Sequence, residues 1–301
     1  MKNEPYSDTK VGVYIDVANI SRNGGYGAQF DVLREFACRD NARPTRLNAY
    51  VSYDRTRAES DPAFRRSQQG FFSMLQDFGY KVIRKDVKWY EDERGNRFGK
   101  ANADLDLAVD ALLQSEKLDR VLLATGDGDF VQVVKALQNR GCRVEVLAFD
   151  NVSGDLRNEA DMYISGYLIP GLLPCQGAGN GHAARWGEVG SRVRGVCYHV
   201  KESYGFFRFI KEINPEMCEI SQNSKRDHYT SVFFHESKLP PEVSLAELPS
   251  RHMIFEFEIE KGSKEGTFQA KDIALVSPMR AERQAVATRA GNPAGTAPSA
   301  S

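Results

Sequence analysis

The chain predicts two folds in succession, an α/β domain on a parallel sheet followed by a small all-β barrel. Three observations carry this. Up to about residue 170, compact apolar runs alternate with amphipathic helical stretches, as in a parallel sheet covered on both faces. Residues 170–190 then bring Pro170, Pro174 and a Gly- and Ala-rich run, which reads as a connection. Beyond it come β-branched and aromatic runs separated by turn residues, at 193–200, 204–210, 231–235, 253–259 and 267–275, enough strands for a small barrel. The 301 residues also exceed one average domain. The expected boundaries are a tail at 1–10, the α/β domain at 11–174, a linker at 175–190, the barrel at 191–278 and a disordered Ala/Gly/Pro/Ser-rich tail at 279–301.

The first strand is Val11 to Ile15, ending at Asp16. A helix follows over Phe30–Arg39, with Leu33, Phe36 and Ala37 inward, and a second strand over Leu47–Tyr53 runs into Asp54 and a basic loop with Arg55 and Arg57. After Pro62 a Phe-rich helix stops at Gly79, the residue type favoured just past a helix end. Lys81 to Ile83 is a third strand. Residues 85–100 surround Trp89 and Tyr90 with basic residues and have the composition of a loop or mobile hairpin. The helix Asp104–Gln114 is expected to turn Leu105, Ala108, Val109 and Leu112 inward, with Asp104 off that face. A fourth strand, Val121 to Ala124, breaks at Thr125-Gly126-Asp127-Gly128-Asp129-Phe130 and restarts as a helix to Asn139. A fifth strand at Val144–Phe149, a short helix at Ser153–Ala160 and a strand fragment at Tyr163–Ile164 complete the domain.

Composition narrows the chemistry. With 40 Lys and Arg against 41 Asp and Glu, no global basic field points to nucleic acid. The five cysteines are scattered and in no metal-ligand spacing, which argues for a reducing compartment and against zinc. No apolar run approaches membrane length and the first residues carry no signal-like apolar stretch, so a soluble cytoplasmic protein without membrane contact is expected. All five histidines lie from His182 onward, so chemistry in the first domain falls to carboxylates, Lys, Tyr or a metal.

Strand ends of a parallel sheet share one edge, where ligands bind. Asp16, Asp127 and Asp129 follow strands and Asp104 opens a helix, so the four are expected to converge on one pocket. Two carboxylates about 4 Å apart repel by roughly 4 kcal/mol at an effective dielectric near 20, so such a group takes up protons or binds a cation. Oxygen-only ligands favour Mg²⁺ or Mn²⁺. A site of this kind activates water for phosphodiester hydrolysis, with Arg55, Arg57, Arg65, Arg66 and the 85–100 stretch, Lys100 included, on the substrate backbone.

Tyr14-Ile15-Asp16-Val17-Ala18-Asn19, then Asp104-Leu105-Asp106-Leu107-Ala108-Val109-Asp110, then Thr125 to Phe130 resemble the NYN domain, a PIN-like and LabA-like branch of nucleases, over about Val11 to Pro174. The resemblance implies a Rossmann-like sheet and a metal-dependent ribonuclease site with carboxylates at Asp16, Asp104, Asp127 and Asp129. Asn19 matches the asparagine after the first acid, implying that it orients Asp16 or a metal-bound water. Asp110 also matches but lies on another helical face, where a structural role is expected; Asp106 reads as a solvated helix residue.

In the barrel, Ser203-Tyr204-Gly205-Phe206-Phe207 and Ser231-Val232-Phe233-Phe234-His235 resemble the two RNA-binding motifs of cold-shock domains, an OB-fold family, over roughly Arg192 to Ser277. Alternate strand residues share a face, so Tyr204 with Phe206 and Phe233 with His235 are expected to form a platform for unpaired bases, while Phe207 and Phe234 face the core. Val196 and Cys197 stand where many cold-shock domains carry a basic residue and Trp; Tyr198 follows them.

The reading is a Mg²⁺- or Mn²⁺-dependent endoribonuclease acting on single-stranded RNA, with homo-oligomerisation left open. The alternative is a non-catalytic RNA-binding protein on a nuclease scaffold. A third reading, an HAD-type phosphatase, follows from the similarity of the TGDGDF run to that class's acidic motif, but it asks for a second Asp where Ala18 stands.

Overall fold

A computed structural model describes residues 7–91, 97–101, 103–175, 184–213 and 229–276, the side chains of residues 97–100 excepted. The described residues fall into two compact units, one built on residues up to Gly187 and one on residues from Glu188. No helix among the described residues is long and apolar enough to cross a membrane.

The first unit contains, in order, β1 (Lys10–Asp16), α1 (Val17–Ile20), α2 (Phe30–Ala37), β2 (Arg43–Tyr53), α3 (Arg55–Ser60), α4 (Pro62–Asp77), β3 (Lys81–Asp86), β4 (Lys88–Glu91), β5 (Arg97–Lys100), α5 (Ala103–Gln114), β6 (Arg120–Ala124), α6 (Val131–Asn139), β7 (Arg143–Ala148), α7 (Gly154–Glu159) and β8 (Met162–Ser165). Six strands form one sheet in the order β3-β2-β1-β6-β7-β8, every pairing parallel. β1 and β6 lie side by side at the sheet's centre, and the chain winds outward from them in opposite directions. That is the topological switch point, where a crevice opens beyond the carboxyl ends of the strands. Val11, Val13, Tyr14 and Ile15 on β1 and Val121 to Ala124 on β6 are buried, which fits continuous apolar strands covered on both faces.

Two local expectations change and one of two alternatives is selected. The basic segment after Asp54 is a helix, α3, because the Asp54 side chain accepts from the Arg57 amide at 3.0 Å as its N-cap. The 88–100 segment holds an antiparallel hairpin, Lys88 opposite Lys100 and Glu91 opposite Arg97. On α5 the predicted face is rotated: Ala103, Leu107 and Ala111 are buried, whereas Leu105, Val109 and Leu113 are exposed. This helix is apolar nearly all round, so periodicity alone does not choose its phase. Its acids do, since Asp110 accepts from the Tyr50 hydroxyl at 2.8 Å and Asp106 pairs with Lys85 at 2.6 Å.

The second unit contains β9 (Arg192–Val200), β10 (Tyr204–Ile210), β11 (Tyr229–His235), β12 (Ser250–Lys261) and β13 (Phe268–Val276). They close into a barrel in the order β10-β11-β13-β12-β9, with β11 and β13 parallel. Phe207 and Phe234 stack at 4.2 Å in its core beside Phe255 and Phe257, as their positions in the strands predict. Ile254 and Phe255 are both buried.

Each unit buries a glutamate among arginines. Glu145 takes two bonds from Arg39, at 2.6 and 2.9 Å, and one from Arg143 at 3.0 Å; Glu256 takes Arg192 at 3.1 Å and Arg194 at 2.9 Å. Burial raises the Glu145 carboxyl, but the Arg39 bonds and charge outweigh it and hold the group below its ordinary range.

Candidate functional site

The site begins where β1 stops. Asp16 caps α1, its Oδ1 accepting from the Asn19 amide at 2.9 Å, which fixes both side chains one turn apart. The Asn19 Oδ1 accepts from the Gly126 amide at 3.0 Å and from Asn151 Nδ2 at 3.3 Å. A single asparagine thus ties the end of β1 to the turn after β6 and to the loop after β7. Gly126 is required at that crossing: a Cβ there would lie 2.5 Å from Asn151 Oδ1 and 2.9 Å from the Asn151 carbonyl. Asp127 caps the 3₁₀ turn Gly128–Phe130 through its Oδ1, which accepts from the Asp129 amide at 3.0 Å.

Asp16 is 5% exposed. Its carboxyl is pushed up to about 6, first by burial and then by the charges of Asp104 and Asp127, against the Asn19 and Ala18 amides. The two buried glutamates have arginine partners, whereas among the described residues no Arg or Lys pairs with Asp16. Among the described residues, the charges that act on it are those of Asp104 and Asp127.

Three of the four predicted acids are therefore brought into mutual influence. Asp104 sits exposed in the first turn of α5, and Asp127 is half-buried. Asp129 is exposed, its amide engaged by Asp127. Among the described residues no three His, Cys, Asp or Glu side chains close into a group able to hold a metal ion. The arrangement is thus looser than the expected convergence of four carboxylates, as repulsion between like charges dictates. The donors nonetheless suit a hard dication, since they are oxygens only and include a buried acid with no cationic neighbour among the described residues.

The other predicted residues lie as follows. Arg55 pairs with Asp86 at 2.9 Å; Arg57 lies 4.4 Å over the Phe64 ring and 3.7 Å from Asp61. Arg65 and Arg66 are exposed. Lys100 lies on β5, and its side chain falls outside the described residues. Asn151 was not expected, nor were Asp150, which accepts from the Tyr167 hydroxyl at 3.0 Å, and Ser153, whose amide donates to the Gly126 carbonyl at 2.9 Å. The signal was present, because β7 also runs into an acid, Asp150.

On the barrel, Phe206 lies 5.9 Å from both Tyr204 and Phe233 and 6.5 Å from Tyr198. His199 joins them, stacked on Phe206 at 6.2 Å, and strict alternation would have missed it. Phe206 pairs with His199 but Phe207 pairs with Cys197, so a bulge at Tyr198 exposes two successive residues. His235 keeps the outward alternation of Phe233 on β11, and its Nδ1 accepts from the Ser237 amide at 3.2 Å, capping the turn Glu236–Lys238.

A parallel sheet with carboxylates at its switch point defines a doubly wound α/β protein with an acidic site. The comparisons make this specific. The NYN domain family matches residues 10–170, more than half of the chain, and the chain belongs to that family. A curated relative, the low amplitude and bright protein LabA of Synechococcus elongatus, is 30% identical over 166 residues, spanning 53% of this chain and 84% of its own length. A solved structure of a Vibrio parahaemolyticus protein of unknown function is 23% identical with a TM-score of 0.42, covering 55% of this chain and 96% of its own.

Proposed function

We propose that this protein is a Mg²⁺- or Mn²⁺-dependent endoribonuclease for single-stranded RNA. The observation that carries the reading is Asp16, a carboxylate buried at the switch point with acids for neighbours and no described cation. Burying an unpaired charge is costly and is kept where it serves a site. Asp16, Asp127 and Asp104 would hold the ion, which when bound supplies a nucleophile from water and shields the phosphate charge. Asn19 holds Asp16 through its amide and the Gly126 turn through its side chain, so the acids are presented by backbone rather than by flexible stems. Asp129, exposed two residues beyond Asp127, would complete the set as an outer acid.

The barrel is proposed as a cold-shock-like OB-fold. Its strand order, with the third and fifth strands parallel, and its contiguous rings on β9, β10 and β11 support that reading. Tyr198, Tyr204, Phe206 and Phe233 would stack unpaired bases at about 1–3 kcal/mol each. Joining the two modules raises the RNA concentration at the acids without any new contact. We place the protein in the cytoplasm, in keeping with the scattered cysteines.

A second reading, RNA binding without cleavage, draws on the lack of a closed ligand group among the described residues. One assay separates the two. The native protein should cut unstructured RNA with Mg²⁺ or Mn²⁺ and stop in EDTA; binding that ignores metal, with no cleavage under any condition, would select the second reading.

A further inference from the structure

A second recess lies on the first unit, lined by Asp54, Thr56, Arg57, Ser60 and Trp89, with a volume of about 270 Å³. Its origin is local. The Val87 amide donates to the Tyr53 carbonyl at 2.9 Å, and Arg55 pairs with Asp86 at 2.9 Å, so the chain leaving β3 is tied to the chain leaving β2. Two residues further on, Trp89 is set beside α3, and the residue is 48% exposed. An indole is among the largest apolar surfaces a side chain offers, and it is enriched where one face meets a partner.

The rest of the lining is polar and held in place. Asp54 Oδ1 is engaged by the Arg57 amide. The Arg57 guanidinium is fixed over Phe64 and near Asp61. The Ser60 hydroxyl donates to the Thr56 and Arg57 carbonyls, 3.2 Å from each, which leaves its oxygen as an acceptor. An aromatic face, a carboxylate, a guanidinium and hydroxyls around one hollow offer stacking together with donors and acceptors. That combination suits an unpaired nucleobase. A phosphate alone would meet Asp54 and would gain nothing from the indole, and an aliphatic side chain would desolvate charged groups without pairing them.

The recess also lies on the right edge. Asp16 is in register with Tyr50 on β2, and Asp54 is four residues further along, about 13 Å at the strand rise. A single strand occupying the acidic notch would reach this recess within a few nucleotides.

We propose that the Trp89 recess is a base-binding subsite that stacks one unpaired RNA base and reads donor groups on its edge through Asp54, favouring guanine over uracil. The choice of RNA as ligand rests on the nuclease reading; the recess itself does not.

The test uses full-length protein carrying Trp186→Phe, which makes Trp89 the sole tryptophan of the two in the sequence, and Asp127→Asn to prevent turnover. Phe206→Ala and Phe233→Ala remove the competing platform. Titration with a short unstructured RNA should quench Trp89 emission saturably. Trp89→Ala should weaken binding by about tenfold, the equivalent of one lost stack, and Trp89→Phe should restore most of it. An oligonucleotide with guanine replaced by uracil should bind more weakly, and Asp54→Asn should shrink that preference. Binding by anisotropy with unchanged Trp89 emission would overturn the subsite, as would no binding at all. Quenching in a protein whose native form never cleaves RNA would sustain the subsite and sink the nuclease reading; cleavage by the native protein, with unchanged affinity when Trp89→Ala is added to the test protein, would do the reverse.

Discussion

The acidic edge of the α/β unit and the aromatic face of the barrel are built on opposite terms. At the edge, Asp16 is buried beside other carboxylates, with its carboxyl pushed up to about 6. On the barrel, Tyr198, His199, Tyr204, Phe206 and Phe233 lie half-buried to exposed in contact with one another, a surface that costs the fold little. Elsewhere among the described residues, both units bury an acid only among arginines. The difference teaches that Asp16 is held at the expense of stability, whereas the barrel face is available without such a cost.

The comparison breaks first at its reference point. Glu145→Ala strands buried Arg39 and should cost about 3–5 kcal/mol of unfolding free energy in a denaturant titration. A loss under about 1 kcal/mol would mean that arginine pairing does not distinguish the buried acids. Next, Asp127→Asn should cut RNA at least about a hundredfold more slowly while RNA affinity at the barrel is retained.

Asp16→Asn sharpens the contrast through its sign. The native carboxyl titrates near 6 against an ordinary 3.8, so the folded protein keeps a proton that the unfolded chain has released between those values. The stability tied to that proton is complete below about pH 4 and is lost as pH rises through about 6. Asparagine keeps the cap and does not titrate. Asp16→Asn should therefore match the native protein near pH 4 and exceed it by about 2 kcal/mol at pH 7.5, read by denaturant unfolding at both pH values. A variant less stable at pH 7.5 would show that the carboxylate is not a burden.

On the barrel, Phe206→Ala should weaken RNA binding by about 1–3 kcal/mol, with no dependence on divalent metal. His235→Ala, which removes a turn cap outside the ring cluster, should change affinity by less than about 0.5 kcal/mol in the same assay.

The strands and the Thr125–Phe130 turn were legible because a buried parallel strand is a continuous apolar run and a Gly-Asp-Gly turn interrupts it sharply. The phase of α5 was not, since Leu105 and Val109 fit a helical stripe as well as Ala103, Leu107 and Ala111 do; only the tertiary partners of Asp106 and Asp110 decide. The cap that makes α3 a helix was visible in Asp54 yet outweighed by the basic composition after it. Asn19 was placed by motif, but its role as a tie between three loops needed Gly126 and Asn151 in space. The bulge at Tyr198 defeats two-residue periodicity, which is why His199 was hidden and Tyr198 was not.

The most direct measurement is calorimetric titration of Mn²⁺ and Mg²⁺ into the native protein and into Asp16→Asn at pH 7.5. The account predicts saturable binding to the native protein and its loss in the variant. At pH 6, native binding should also release protons as the Asp16 carboxyl ionises. Equal binding by both proteins, or no binding by either, would contradict the claim that this buried acid is kept for a divalent cation.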